Sequence, residues 1–185
     1  MHAHALISDL FKYNTAYLTK KLAVIDRAKL FVRPNHTMNP IIWIFGHIVF
    51  CRSEMLESIG IGSQSPDLAD FFASGTFPLN DPAEYPHFDD LVAHYGTFGE
   101  KLCEALTKGG EELLNRRCWG KYDTVGKTIV AGYIHESNHI GQISNTLIFA
   151  EKTATGQSRM NLSTRRKNST GKILLDGLKS VLTVK

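Results

Sequence analysis

Two histidines, His135 and His139, stand four residues apart in Gly132-Tyr133-Ile134-His135-Glu136-Ser137-Asn138-His139-Ile140-Gly141-Gln142, inside a long stretch of helical periodicity. On a helix this spacing projects both imidazoles from one face, one turn apart, where they can reach the same divalent metal. A third histidine, His47, lies far upstream in Trp43-Ile44-Phe45-Gly46-His47, also in a helical pattern. Three histidines from two helices leave a coordination position open, and an open position separates a catalytic metal site from a structural one. His47, His135 and His139 are therefore the candidate metal ligands.

The neighbours of these residues suggest supporting roles. Gly46 permits close approach of another backbone or a ligand. Trp43 and Cys51, at i−4 and i+4 from His47, share its face and read first as core packing. Gln142, one turn beyond His139, is placed to orient a ligand or a bound water. Of the other histidines, His2 and His4 sit near the start of the chain, His36 and His87 fall in loop patterns, and His94 lies beside an apolar stripe.

The run from His135 to His139 also spells H-E-x-x-H, in which the glutamate of a zinc protease activates water. The longer form of that motif requires Gly at 142 and His at 145, where this chain has Gln142 and Asn145. Only Glu151 and Asp176 supply acidic residues downstream, and no strand framework for a peptide cleft is legible. A protease is thus disfavoured. Glu136 reads either as a general base or as a solvated residue beside a ligand, since one residue turns it about 100° from His135.

The elements that must position these residues are helices. A helical period covers about 8–28, with Ser8 as the expected N-cap. Asn39-Pro40 opens a second helix running to Ser58, which Gly60 stops. A third spans about 89–107 and ends at Gly109-Gly110; a fourth runs from Asp123 or Thr124 to about Ala150. Residues 60–87 form a long connection, of a length that carries function or crosses a fold, and 111–122 a shorter one with a turn of helix near Leu113-Leu114. The expectation is an all-α fold: a four-helix bundle over 1–152, followed by a basic linker and an extra C-terminal helix over 153–185. In that last segment Ile173, Leu174, Leu175, Leu178, Val181 and Leu182 make an apolar stripe, expected to pack on the bundle or on a partner subunit.

Bulk properties exclude several classes. The chain is 43% hydrophobic and 21% charged over 185 residues, which suits one soluble globular domain. Three scattered cysteines, with no CxxC pair, argue against a disulfide framework and for a reducing cytoplasm. No apolar signal segment opens the chain, and the longest apolar run is too short to span a bilayer. Seven basic residues against Asp176 put 153–185 at +6, leaving 1–152 at −3 within a chain total of +3. A basic tail can touch nucleic acid or anionic lipid, but its ordinary fate is solvation, so neither a nucleic-acid nor a membrane partner is expected.

With these residues assembled, the chain resembles the DinB/YfiT-like family of metal-dependent four-helix bundles over about residues 6–150. The resemblance is carried by Trp43-Ile44-Phe45-Gly46-His47, by Tyr85-Pro86-His87-Phe88-Asp89-Asp90-Leu91, and by Thr124-Val125 followed by His135 to Ile143. It implies metal ligation by His47, His135 and His139, with nickel or zinc bound. It also implies frequent homodimers and, in some relatives, transfer or isomerisation using a low-molecular-weight thiol. The functional expectation is a metal-dependent enzyme, a thiol S-transferase or a hydrolase acting on a small molecule. The alternative is a non-catalytic metal-binding or stress-response bundle. No catalytic residue is assigned by the sequence.

Overall fold

The computed structural model describes residues 2–35, 37–62, 65, 67–118 and 122–154. The expected linker and C-terminal helix lie outside the described residues. Met1–Leu147 forms one compact unit, which contains every residue of the candidate site; of a second unit, Ile148–Lys185, the described residues continue the last helix.

Four long helices carry the fold: α1 (Ala3–Ala23), α2 (Ile41–Ser58), α4 (Phe88–Asn115) and α5 (Val125–Ala154), with a short α3 (Leu68–Phe72) between α2 and α4. Contacts fix their directions. Asn14 meets Ser137 and Lys21 meets Ser144, so α1 and α5 run parallel. Phe45 touches Phe88 and Tyr95, and Arg52 reaches the Tyr95 carbonyl, so α2 and α4 also run parallel. Ser8 meets Cys103 while Ala3 and His4 meet Glu111, which sets α1 antiparallel to α4. The result is an up-down-down-up four-helix bundle. Its parallel middle pair requires a long crossover, supplied by residues 59–87.

Helix α2 is central. Ile41 to Val49 are buried without interruption, because apolar residues occupy every face of its first turns. It is therefore not an amphipathic helix over those turns. The amphipathic pattern is clear in α4, whose Leu91, Tyr95, Phe98, Leu102 and Leu106 face the core.

Four features differ from the sequence reading, the first being that α1 ends at Ala23, about five residues short of the expected 28. Helix α1 starts five residues early, and Ser8 lies buried inside it rather than capping it. The Glu111 carboxylate accepts the Ala3 and His4 amides at 2.9 and 3.5 Å, so a residue distant in sequence satisfies the first turn. Helix α4 passes through Gly109-Gly110 instead of ending there. Gly110 takes φ 55°, ψ −147°, and the helix resumes to Asn115 beyond the kink. The long connection is not bare loop, since α3 and a 3₁₀ turn at Pro82–Glu84 fold within it. Elsewhere the expected stop holds: Gly60 sits at φ 85° just beyond Ser58.

Two glycines of α4 should respond oppositely to alanine. Gly110→Ala places a side chain in a left-handed conformation and should destabilise the fold by about 1–3 kcal/mol. A Cβ on Gly96 meets nothing within 4 Å, so Gly96→Ala should stabilise by about 0.5–1 kcal/mol. Urea unfolding of the two variants measures both; equal shifts would contradict this account of the kink.

Candidate metal centre

His47 enters the bundle interior from α2 and is 5% exposed. Its Nδ1 lies 2.6 Å from the Phe72 carbonyl at the end of α3. A carbonyl only accepts, so Nδ1 carries the proton and Nε2 presents a lone pair in the neutral ring. On α5, His139 Nδ1 donates to the Gln142 Oε1 at 2.8 Å, the orienting contact expected of Gln142, and leaves its own Nε2 free in the same way. His135 stands between them. Its Nε2 lies 3.0 Å from His47 Nε2 and 3.1 Å from His139 Nε2.

The ligand nitrogens of all three lie within 4.8 Å of one another, and this is the metal-compatible cluster found among the described residues. Nitrogens about 2.1 Å from one ion and about 90° apart are separated by about 3.0 Å, so the spacing fits a divalent cation. The donor set fits as well. With Nδ1 protons tied to Phe72 and Gln142, only the His135 ring must move its proton to Nδ1 for three lone pairs to converge. Such outer hydrogen bonds fix the tautomer and orientation of metal-ligating histidines. The cluster is graded in depth, with His47 buried, His139 half-buried and His135 exposed, so one side stays open to solvent.

The crossover builds the inner wall. A Cβ on Gly46 would collide with the Phe72 ring, which is itself fully buried and stacked on Tyr85. Glycine at 46 thus lets Phe72 close on α2, and that closure brings the Phe72 carbonyl to His47. Trp43 is buried as expected and also stacks on the His47 ring at 5.0 Å, while its indole N–H donates to Thr76 Oγ1 at 3.1 Å. Cys51 is half-buried rather than core, with Sγ 3.6 Å from His47 Nε2. Burial, then the charges of Glu54 and Glu136, push its thiol up to about 12, so it is protonated at neutral pH.

Glu136 corrects the sequence reading. It is neither solvated nor free to act as a base. Its turn of about 100° from His135 carries it into the bundle interior, where it is 2% exposed. Arg52 grips it with Nε to Oε2 and Nη2 to Oε1, both at 2.8 Å. Arg52 also donates to the Tyr95 carbonyl at 2.8 Å and to Thr15 Oγ1 at 2.9 Å, and the Tyr95 hydroxyl donates to Glu136 Oε1 at 3.1 Å. Burial alone would pull the guanidinium down, but Glu136 holds Arg52 above its ordinary value. Burial likewise raises the Tyr95 phenol, so it stays a donor. This network is invisible in the sequence: Arg52 reads as one more charge on a helix, and nothing marks Tyr95 as its partner.

Beside the cluster opens a cleft of about 800 Å³, lined by Cys51, Met55, Arg117, Cys118, Gly132 and His135 among others. The remaining histidines do not join the site. His4 pairs with Glu111, His87 precedes α4, and His94 stacks on Phe98; His36 is outside the described residues.

Comparison with known proteins agrees with this architecture. A family model described as the DinB superfamily matches residues 10–143. No curated protein matches the chain.

Three outcomes follow from the geometry. Glu136→Gln should destabilise the fold by about 3–5 kcal/mol, because it strands the buried Arg52 charge; denaturant titration measures the loss. Gly46→Ala should weaken metal binding at least tenfold by displacing Phe72 from His47, and isothermal titration against wild type tests it. Burial first, with repulsion from the other histidines, lowers His139 to about 4 and His135 in the same direction. The folded chain then holds neutral rings while the unfolded chain takes up protons, so acid favours unfolding. Stability of the metal-free protein should be full above about pH 6.5 and fall steadily towards about pH 4. His139→Gln should flatten that slope.

Proposed function

We propose that this chain, which belongs to the DinB superfamily, is a metal-dependent transferase acting on a low-molecular-weight thiol, with His47, His135 and His139 holding a divalent nickel or zinc ion. A bound ion of this kind supplies Lewis acidity, which lowers the pKa of a thiol or water in its open coordination position. The observation that carries the reading is the convergence of three Nε2 atoms, two of them on rings held from behind by Phe72 and Gln142, at the mouth of a cleft of small-molecule size.

The protein's own groups divide the work. The Phe72 carbonyl and Gln142 hold the outer rings so that their Nε2 atoms face inward. Trp43 covers the inner side of His47 and keeps water from it. The exposed edge of His135 leaves access from the cleft.

The placement of Glu136 favours the first of the two reactions considered, thiol transfer over hydrolysis. A hydrolase of the H-E-x-x-H type needs its glutamate as proton acceptor for water. Here both carboxylate oxygens are engaged by Arg52 and Tyr95. Thiol transfer needs no such base, since a thiol of ordinary pKa gives up its proton to solvent more readily than water does.

The setting we propose is the cytoplasm, where thiols stay reduced. All three cysteines are free, and none of the described helices is long and apolar enough to cross a membrane. We also propose a homodimer. Exposed Tyr13 and Tyr17 on α1, with Val130 and Ile134 on α5, offer it apolar area.

Protein purified without an affinity tag should contain close to one nickel or zinc per chain by elemental analysis. Alanine at 47, 135 or 139 should each lower metal affinity by a hundredfold or more, and acid should release the metal because ligating imidazoles must be neutral. The loaded protein should consume a thiol in the presence of an electrophile, and the three alanine variants should not. Loading without turnover would favour a metal-binding role alone; absence of loading would refute the centre.

A further inference from the structure

The cleft beside the histidines carries a charge pattern that the metal reading does not use. Glu54 and Glu57 project into it from the C-terminal half of α2, and Arg116 and Arg117 from the connection that follows α4. Two positives and two negatives line one cavity, yet no ion pair joins them among the described residues. The glutamates, one helical turn apart, repel each other, and neither accepts a side-chain hydrogen bond among the described residues. Among the described residues the Arg116 side chain reaches the Ser58 carbonyl, at 3.5 Å, and the Arg117 side chain makes no hydrogen bond but feels the charge of Asp123. Much of the remaining lining is small or apolar: Met55, Gly60, Ala131 and Gly132. His135 closes the same cavity.

Two glutamates one turn apart repel each other, weakly because both are exposed to solvent, and a ligand cation between them relieves that repulsion. The two guanidiniums are likewise exposed, Arg117 within the field of the Asp123 carboxylate, and their planar forks suit a ligand carboxylate. A cavity of about 800 Å³ admits a small molecule bearing both groups. We propose that this cleft selects a dipolar thiol, a small molecule carrying one ammonium and one carboxylate as well as its sulfur. The ammonium lies towards Glu54 and Glu57, the carboxylate towards Arg116 and Arg117, and the sulfur towards His135. The proposal rests on the thiol-dependent metal centre above and adds the groups that choose the thiol.

The test uses the full chain loaded with cobalt(II), whose thiolate absorption bands report sulfur binding directly. Four ligands of nearly constant shape separate the charges: cysteinylglycine, its N-acetyl form, its C-terminal amide, and the N-acetyl amide with neither charge. Removing either charge should weaken binding about three- to tenfold, and removing both should compound the loss. In the double variant Glu54→Gln/Glu57→Gln the advantage of the free ammonium should vanish while the advantage of the carboxylate and the cobalt affinity persist. Arg117→Gln should do the converse. Four ligands that bind alike to the loaded protein, or a double variant with unchanged preferences, would overturn the charge-reading cleft and leave the metal centre standing. A chain that takes up no cobalt, or one that shows thiolate bands with none of the four, would overturn the thiol-dependent centre itself, and this inference with it.

Discussion

A single buried ion pair organises this bundle. Arg52 and Glu136 are 0% and 2% exposed, and removing two charges from water carries a penalty of several kcal/mol per ion. The pair persists because every strong donor and acceptor around it is used. Both arms of the guanidinium meet the carboxylate, the remaining nitrogen meets the Tyr95 carbonyl, and Thr15 and the Tyr95 hydroxyl complete the set. The Tyr95 ring lies 3.7 Å from the guanidinium carbon and covers its face. Gly99 leaves room for one guanidinium nitrogen, which a Cβ would displace. One network thereby joins α1, α2, α4 and α5. A slip of one residue in α2 or α5 would leave a charge unpaired in the core, and one in α1 or α4 would cost the pair a hydrogen bond, so the register of the helices follows from it.

That register is what the histidines require. Glu136 adjoins His135 in sequence, and Arg52 lies five residues beyond His47 on the facing helix. Locking Arg52 to Glu136 therefore brings the two histidine-bearing faces to the same level of the bundle. The residue that read either as a general base or as a solvated neighbour instead holds the candidate ligands in place. A charged glutamate beside a candidate metal ligand can do either, and the choice depends on which way one helical step turns it.

The crossover between the parallel middle helices contributes a second constraint. A short chain segment cannot join two parallel helices, so a long one must pass over an end or side of the bundle. Here it does more than connect. It lays Phe72 against Gly46 and presents a backbone carbonyl to His47, and its Thr76 receives the Trp43 indole. The inner side of the centre is thus closed by buried aromatic side chains and one backbone carbonyl, while the outer side opens into a charged cleft. A rigid inner wall and an accessible outer one are the arrangement a site needs to hold an ion and admit a ligand.

The sequence by itself determined the helices and the three histidines. Helical periodicity is a local property, and two histidines four apart on one helix must share a face whatever surrounds them. The stops at Gly60 and the start after Asn39-Pro40 are local in the same sense, as is the contact of Gln142 with His139 one turn away. What only the tertiary structure decided concerns pairs distant along the chain. Glu111 satisfies the first turn of α1, Phe72 orients His47, and Arg52 claims Glu136 across 84 residues. The kink at Gly110 belongs with them, since a glycine that can end a helix can equally bend one when both flanks find a core to pack on. Local pattern specifies which way a side chain points from its own helix. Which partner stands there is set by packing between helices, and that made Glu136 a buried anchor in place of the base or solvated residue that the local pattern allowed.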